Sequence, residues 1–426
     1  MADKWPLANG NWSNAANWNG GTKPVAGDDV YADGRTLNVD ESFDVATLRT
    51  TQRSGGTIGG SFVFNTAGVT GTVTSSSPLV PGATNLIQVT ATTGTVTISL
   101  GGNVTTTFAN LILYSGNCNL NLSGTNFNGS TTVSTCINKT SAGLITITGN
   151  VNGGNGGAAT GAQSFVSTNG NTIIIGNVVG GIGGGGSHRG VNQSAGTLTI
   201  TGNVTGGQSV ANNEGVSFSG TSLTVNGTIL GGTAAEAIIT SAPTNNITGN
   251  VTGGTVEAIS STTANIINVT GTVTASATAE AIRMTNTNGQ VYLNGNMVNN
   301  NGKMAIYAPI VWLDANNTTQ ADFFTSGGSP RTLYSEDTFP NMPAEADTRN
   351  NIVYGPGSGL IGTLKMPAAA DTRSGVVYDN GTVGTALFTT SLFLTELSSS
   401  TVPVAVRMQN LCTPMILGEL MEAFKK

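Results

Sequence analysis

The sequence predicts an all-β chain: a right-handed parallel β-helix of about 24 residues per coil, then a small C-terminal β unit and a terminal α-helix. Three observations predict it. Short β-branched runs bounded by Gly and Asn recur along the chain, a Gly marker returns with a near-constant period, and a second marker keeps phase with the first.

The runs include Leu144 to Thr148, Thr172 to Ile175 and Leu198 to Thr201, whose Val, Ile, Leu and Thr content suits strands ended by tight turns. They argue against disorder, which composition alone would permit: of 426 residues, 60 are Gly and only 9% are charged. A single compact core stops growing well below this length, so the chain holds either several domains or a repeat.

The repeat is visible directly. A Gly followed by Asn or Thr closes a short strand at Gly102, Gly124, Gly149, Gly176, Gly202, Gly227, Gly249, Gly271 and Gly295, at intervals of 22 to 27 residues. The second marker reads Arg189-Gly-Val, Glu214-Gly-Val, Glu236-Ala-Ile, Glu257-Ala-Ile, Glu280-Ala-Ile and Met304-Ala-Ile. From the first marker to the second the gap falls from 13 to 8 or 9, whereas onward to the next Gly it stays at 13 to 15. Length variation therefore belongs to the first arc, where Gly153 to Gly157 and Gly180 to Gly186 are expected to bulge as a loop.

One coil has too little apolar surface to fold alone, but stacked coils pair each strand with its equivalents and close a common core. Val151, Val178, Val204 and Val251 are expected to form one inward column, and Val191, Val216, Ile238, Ile259, Ile282 and Ile306 another. The crossover preference of parallel strands makes the coil right-handed. Coils from about Val30 to Asp322 would number roughly twelve, a rod on the order of 55 Å long.

The ends differ from the coils. Residues 1–29 hold Gly10-Asn-Trp-Ser-Asn-Ala-Ala-Asn-Trp-Asn-Gly-Gly, then Pro24 and Gly27-Asp-Asp-Val. Trp5, Trp12 and Trp18 are placed to cover the open apolar end of the first coil, as a terminal repeat must. The β-helix is read over 30–325. Over 326–406, Ala346-Asp-Thr-Arg, Ile352-Val-Tyr and Gly362-Thr-Leu recur as Ala370-Asp-Thr-Arg, Val376-Val-Tyr and Gly384-Thr-Ala, a duplicated β unit. Within 407–426 the segment Thr413 to Lys426 reads as a helix, with Thr413 as N-cap, Pro414 at its first position and lysines at its C-terminal end. Met415, Ile416, Leu420, Met421 and Phe424 recur on one face, which is expected to pack on its own chain or in assembly contacts, with Trp5, Trp12 and Trp18 as the competing attachment point.

The Trp-paired segment resembles the N-terminal lead-in of β-helical tailed-bacteriophage virion proteins and of autotransporter-like adhesins, over about 40 residues. The duplicated unit is similar to an Asp-x-Arg-x-Gly-Val-x-Tyr repeat near the C-terminus of tailed-phage structural proteins, although Asn351 replaces the Gly in the first copy. The resemblance implies a structural virion component: a capsid decoration or head-fibre protein, alternatively a tail fibre or tailspike-like receptor-binding protein, or a bacterial surface adhesin. It further implies a homotrimer, contacts with a major capsid or tail protein, a host-surface glycan as a further partner, and a place on the outer surface of the particle.

Composition limits the chemistry. Net charge −6 and pI near 4.8 leave no basic stripe for nucleic acid. No stretch suits membrane insertion, and the polar start Met1 to Pro6 lacks the pattern of a secretory leader, so folding in the host cytoplasm is expected. Cys118, Cys136 and Cys412 are too scattered for a disulfide framework or zinc site and are read as free thiols. No metal or cofactor is expected. Asp28 and Asp29, with Asp33 and Asp40, fit turn capping better than a Ca²⁺ loop. His188 is the one His, in a Gly-rich loop, without a sequence partner for catalysis. Glu214, Glu236, Glu257 and Glu280 are spaced to stack as an acidic ladder along one edge, as a solvated corner position or a cation-binding strip, with pKa values raised unless cations or water screen them, rather than to flank a glycosidic bond. The chain is therefore read as non-enzymatic.

Overall fold

The computed structural model describes residues 2–313 apart from 83–85, 106–109, 130–134, 156–161, 184–185, 209–212, 275–278, 287, 296 and 299–305. Beyond 313 it describes 332–335 and two short strand pairs within 353–383. The chain divides into two units: Met1–Pro340 with Pro356–Ser358, and Asn341–Gly355 with Gly359–Lys426.

The first unit is a parallel β-solenoid of about 11 turns, with equivalent strands about 25 residues apart. A typical coil has three strands. Val191–Gln193, Thr197–Thr201 and Val204–Thr205 make one, and each pairs in parallel with its equivalent in the next coil: Val216–Phe218, Ser222–Asn226 and Ile229–Leu230. The first ladder is a thirteen-stranded parallel sheet from Gly10–Asn11 to Ile306–Tyr307. The second and third ladders join into one network, because strands such as Asn119–Asn128 and Ile145–Asn152 run continuously around the corner between them. Among the described residues the helical content is two 3₁₀ turns, Ala15–Asn17 and Asn19–Gly21.

Both expected inward columns are present. Val191, Val216, Ile238, Ile259, Ile282 and Ile306 pair residue to residue. So do Val151, Val178, Val204, Ile229, Val251 and Val273. All are buried. Two-residue periodicity puts one face of each strand inside, and each Val or Ile so buried contributes about 1.5–3 kcal/mol.

The Gly marker has a steric cause. From Gly149 onward it sits at the corner between the second and third ladders, where φ runs from 138° at Gly149 to 155° at Gly227. A Cβ at Gly176, Gly202, Gly227, Gly249, Gly271 or Gly295 would also lie against the carbonyl oxygen of the corner glycine one coil earlier. Only glycine meets both demands. The following Asn holds the coils in register: Oδ1 of Asn150, Asn177 and Asn203 accepts from the amides of Asn177, Asn203 and Thr228 one coil on, at 2.9, 2.8 and 2.9 Å.

The loop expectation needs one correction. Gly153-Gly154 and Gly180-Gly181 open the runs read as bulges, yet they match Gly206-Gly207, Gly231-Gly232 and Gly253-Gly254 in a second packed glycine corner. There, an added Cβ would strike the backbone of an adjacent coil. The arc varies in length only after these pairs.

At the N-terminal end Trp12 and Trp18 are buried, their rings 5.0 Å apart and edge-on, and Trp12 stacks on Phe43 at 4.2 Å. Trp18 Nε1 donates to the Trp12 carbonyl at 2.9 Å, which satisfies the buried indole. Both thus cover the core from within and present almost no surface for assembly. Trp5 stands apart, half-buried under the Arg53 guanidinium 4.1 Å from its ring.

In the second unit each copy of the duplicated sequence closes a two-residue antiparallel pair, Val353–Tyr354 with Leu360–Ile361 and Val377–Tyr378 with Thr382–Val383. The helix expected over Thr413 to Lys426, with Met415, Ile416, Leu420, Met421 and Phe424, lies outside the described residues, as does Cys412.

Candidate functional site

Two sets of side chains in the coils stand out, one along an edge and one in an interior column. The edge is set by the second marker, whose first residue lies two positions before each inward Val or Ile of the first ladder. Arg189, Glu214, Glu236, Glu257 and Glu280 therefore follow one another from coil to coil. Arg189 Nε lies 2.6 Å from Glu214 Oε2, with Glu214 only 3% exposed, and Arg283 Nη1 lies 2.9 Å from Glu257 Oε1. Glu236 sits between these two pairs. Burial pushes its pKa up, and the neighbouring Glu214 and Glu257 carboxylates add to that rise against the pull of Arg189. Glu214 and Glu257 are thus the charged neighbours of Glu236, and the arginine clamps are an addition that the Glu spacing did not reveal.

An interior column was missed altogether. The last inward residue of successive first-ladder strands runs Val89, Tyr114, Lys139, Ser167, Gln193, Phe218 and Thr240. Four of these are polar and buried: Lys139, Ser167, Gln193 and Thr240. Their side chains serve backbone groups of the adjoining turn, which a buried corner leaves without ladder partners. Gln193 Nε2 donates to the carbonyls of Ala195, Thr197 and Gly170 at 2.8, 3.0 and 3.2 Å. Lys139 does the same with a charge: Nζ donates to Ser141 O at 2.8 Å and to Asn169 O, and lies 5.9 Å from the Tyr114 ring. Burial pushes the Lys139 pKa down to about 8. No Asp or Glu occurs between Asp44 and Glu214.

The remaining candidates have structural partners. His188 is fully buried, with Nδ1 accepting from the Ala162 amide at 3.2 Å. Asp28 caps a turn, its carboxylate accepting from the amides of Ala2 and Val25 at 3.1 Å each. Asp29 pairs with Arg49 at 3.4 Å, and Asp33 with Arg53 at 2.9 Å. Burial raises the Asp40 pKa, but hydrogen bonds from the Ser13 hydroxyl and amide, its own backbone and Asn11 outweigh this and hold it below the ordinary value. Cys118 and Cys136 are buried free thiols whose pKa values burial pushes up.

Chemically, the acidic edge offers arginine-paired carboxylates with Glu236 between them, and the column offers a buried amine that grips main-chain oxygens. Comparison with known proteins finds no matching family model, no matching curated protein and no matching solved structure.

Proposed function

We propose that the chain is a non-enzymatic structural protein of a bacteriophage particle, a capsid decoration or head-fibre protein whose solenoid projects from the surface. The observation that carries this reading is the use made of the chain's charged groups. In the coils after the lead-in segment, Lys139 braces carbonyls of the core, and Glu214 and Glu257 are held by arginines. Glycoside cleavage requires two carboxyls facing each other across the bond, about 5–9.5 Å apart. Stacked glutamates on one ridge face the same way. The resemblance of the Trp-paired segment supports the virion assignment, and a stiff rod of coupled coils suits a projecting fibre.

In this proposal the molecule is a trimer that attaches through its C-terminal region, where Met415, Ile416, Leu420, Met421 and Phe424 supply an apolar assembly face. Quantitative mass spectrometry of purified particles tests it. Hundreds of copies per particle are expected for a decoration protein, and a few dozen would move the assignment to a tail fibre. Absence from the particle, or release of reducing sugars from host polysaccharide that is lost in Glu236→Gln or Glu257→Gln, would overturn the structural reading.

A further inference from the structure

We propose that Asn169-Gly170 is a self-modifying site, at which the chain converts its own asparagine into an isoaspartate whose new carboxylate pairs with buried Lys139. The site is an exposed turn after the first-ladder strand Phe165–Ser167. Gly170 has φ 75°, and its amide donates to the side-chain Oδ1 of Asn169 at 2.8 Å. This contact holds the Asn169 side-chain carbonyl beside the Gly170 nitrogen, the two groups between which a five-membered ring closes.

Three other Asn-Gly pairs, at Asn128, Asn152 and Asn226, are held differently. The amides of Gly129, Gly153 and Gly227 donate to the carbonyls of Asn152, Val179 and Thr248 in the next coil at 2.8, 2.7 and 2.8 Å. Those nitrogens are committed to the ladder and face away from their own asparagine side chains.

The chemistry balances without a further reactant other than water. The Gly170 amide gives its proton to solvent base, and its nitrogen attacks Asn169 Cγ. The side-chain nitrogen leaves as ammonia, giving a succinimide. Water then adds to the former main-chain carbonyl carbon of Asn169 and breaks its bond to the Gly170 nitrogen, which stays joined to Cγ. The product is isoaspartate, and its free carboxylate is built on the old main-chain carbonyl.

That carbonyl is already singled out. Its oxygen accepts from Lys139 Nζ and, at 3.0 Å, from Ser167 Oγ. Two fixed donors, one cationic, stabilise negative charge developing on this oxygen and so direct water to the carbon that yields isoaspartate. The same donors then hold the finished carboxylate, giving Lys139 a counter-ion in a stretch where the sequence encodes no acid.

The test uses the full-length chain, held at neutral pH, where Lys139 carries its charge, and sampled over time by peptide mapping that separates isoaspartate from aspartate. Asn169 is expected to convert about tenfold faster than Asn128, Asn152 and Asn226, with isoaspartate predominant. In Lys139→Met and Ser167→Ala the isoaspartate fraction should fall toward that of an unfolded peptide. The wild-type comparison among the four sites needs no variant to fold. An Asn169 that survives as long as Asn152 and Asn226 overturns the proposal, as does an isoaspartate fraction unchanged by both substitutions.

Discussion

Lys139 shows how a single side chain can make this rod respond to pH. Its ordinary pKa of 10.5 falls to about 8 on burial, so between these values the unfolded chain binds the proton that the folded chain has released. Stability must then rise with pH across that window, and the full penalty, on the order of 3 kcal/mol, applies below it. Tyr114 acts oppositely: burial pushes its pKa up to about 12, so its contribution declines above its ordinary value of 10. Urea unfolding of freshly prepared wild type should gain stability relative to Lys139→Met from pH 7.5 to 9.5; both chains share the decline set by the buried Cys118 and Cys136 thiols, which stay protonated where the unfolded ones ionise, so equal slopes would mean the amine is solvated. Glu236 has the reverse sign. Its raised pKa makes the folded state hold a proton that the unfolded chain loses, so stability is highest at acid pH and declines as pH rises through the folded value. Glu236→Gln should raise neutral-pH stability by up to about 1 kcal/mol, with the difference fading near pH 4. The Glu stack was legible because its spacing equals the coil period. Lys139 was not, although alternation from Ile137 places it on the inward face, because a lone charged residue reads as exposed.

At the scale of the coil, the periodic glycine was readable while its reason was not. Composition cannot show that the corner carbonyl of one coil fills the space where the next would carry a Cβ. The paired glycines were misread for a related reason: glycine runs signal loops, and only the stacked backbone shows that the first two of each run are packed. Gly202→Ala combines a φ of 144° with a backbone collision, so it should cost several kcal/mol, well above the roughly 1 kcal/mol that alanine gains elsewhere over glycine in the unfolded chain. Asn203→Ala removes one inter-coil acceptor and should cost only about 1 kcal/mol. Differential scanning calorimetry of the two variants separates these effects. Similar melting temperatures would mean the corner relaxes, and that the glycine period reflects duplication rather than steric need.

For the whole solenoid, stability is shared between neighbouring coils, so the effect of damage depends on where along the axis it falls. The N-terminal end and the middle of the rod differ. Trp12 and Trp18 close the N-terminal end over Phe43 and Phe62, whereas Ile238 lies among coils covered on both sides by Val216 and Ile259. Trp12→Ala removes a large buried ring, a loss of about 3–5 kcal/mol, but it touches only the first coils. Those coils should fray while the remainder keeps its ladders. Ile238→Asp buries a carboxylate beside apolar neighbours at a cost of several kcal/mol and interrupts the column from within. Limited proteolysis read by mass spectrometry distinguishes the two. Trp12→Ala should lose residues up to about the second or third coil and leave a resistant fragment containing the Gly149 to Gly295 corner, whereas Ile238→Asp should open cuts on both sides of residue 238. A Trp12→Ala chain digested evenly along its whole length would show that the coils unfold as one cooperative block, and the nearest-neighbour account of the rod would fail.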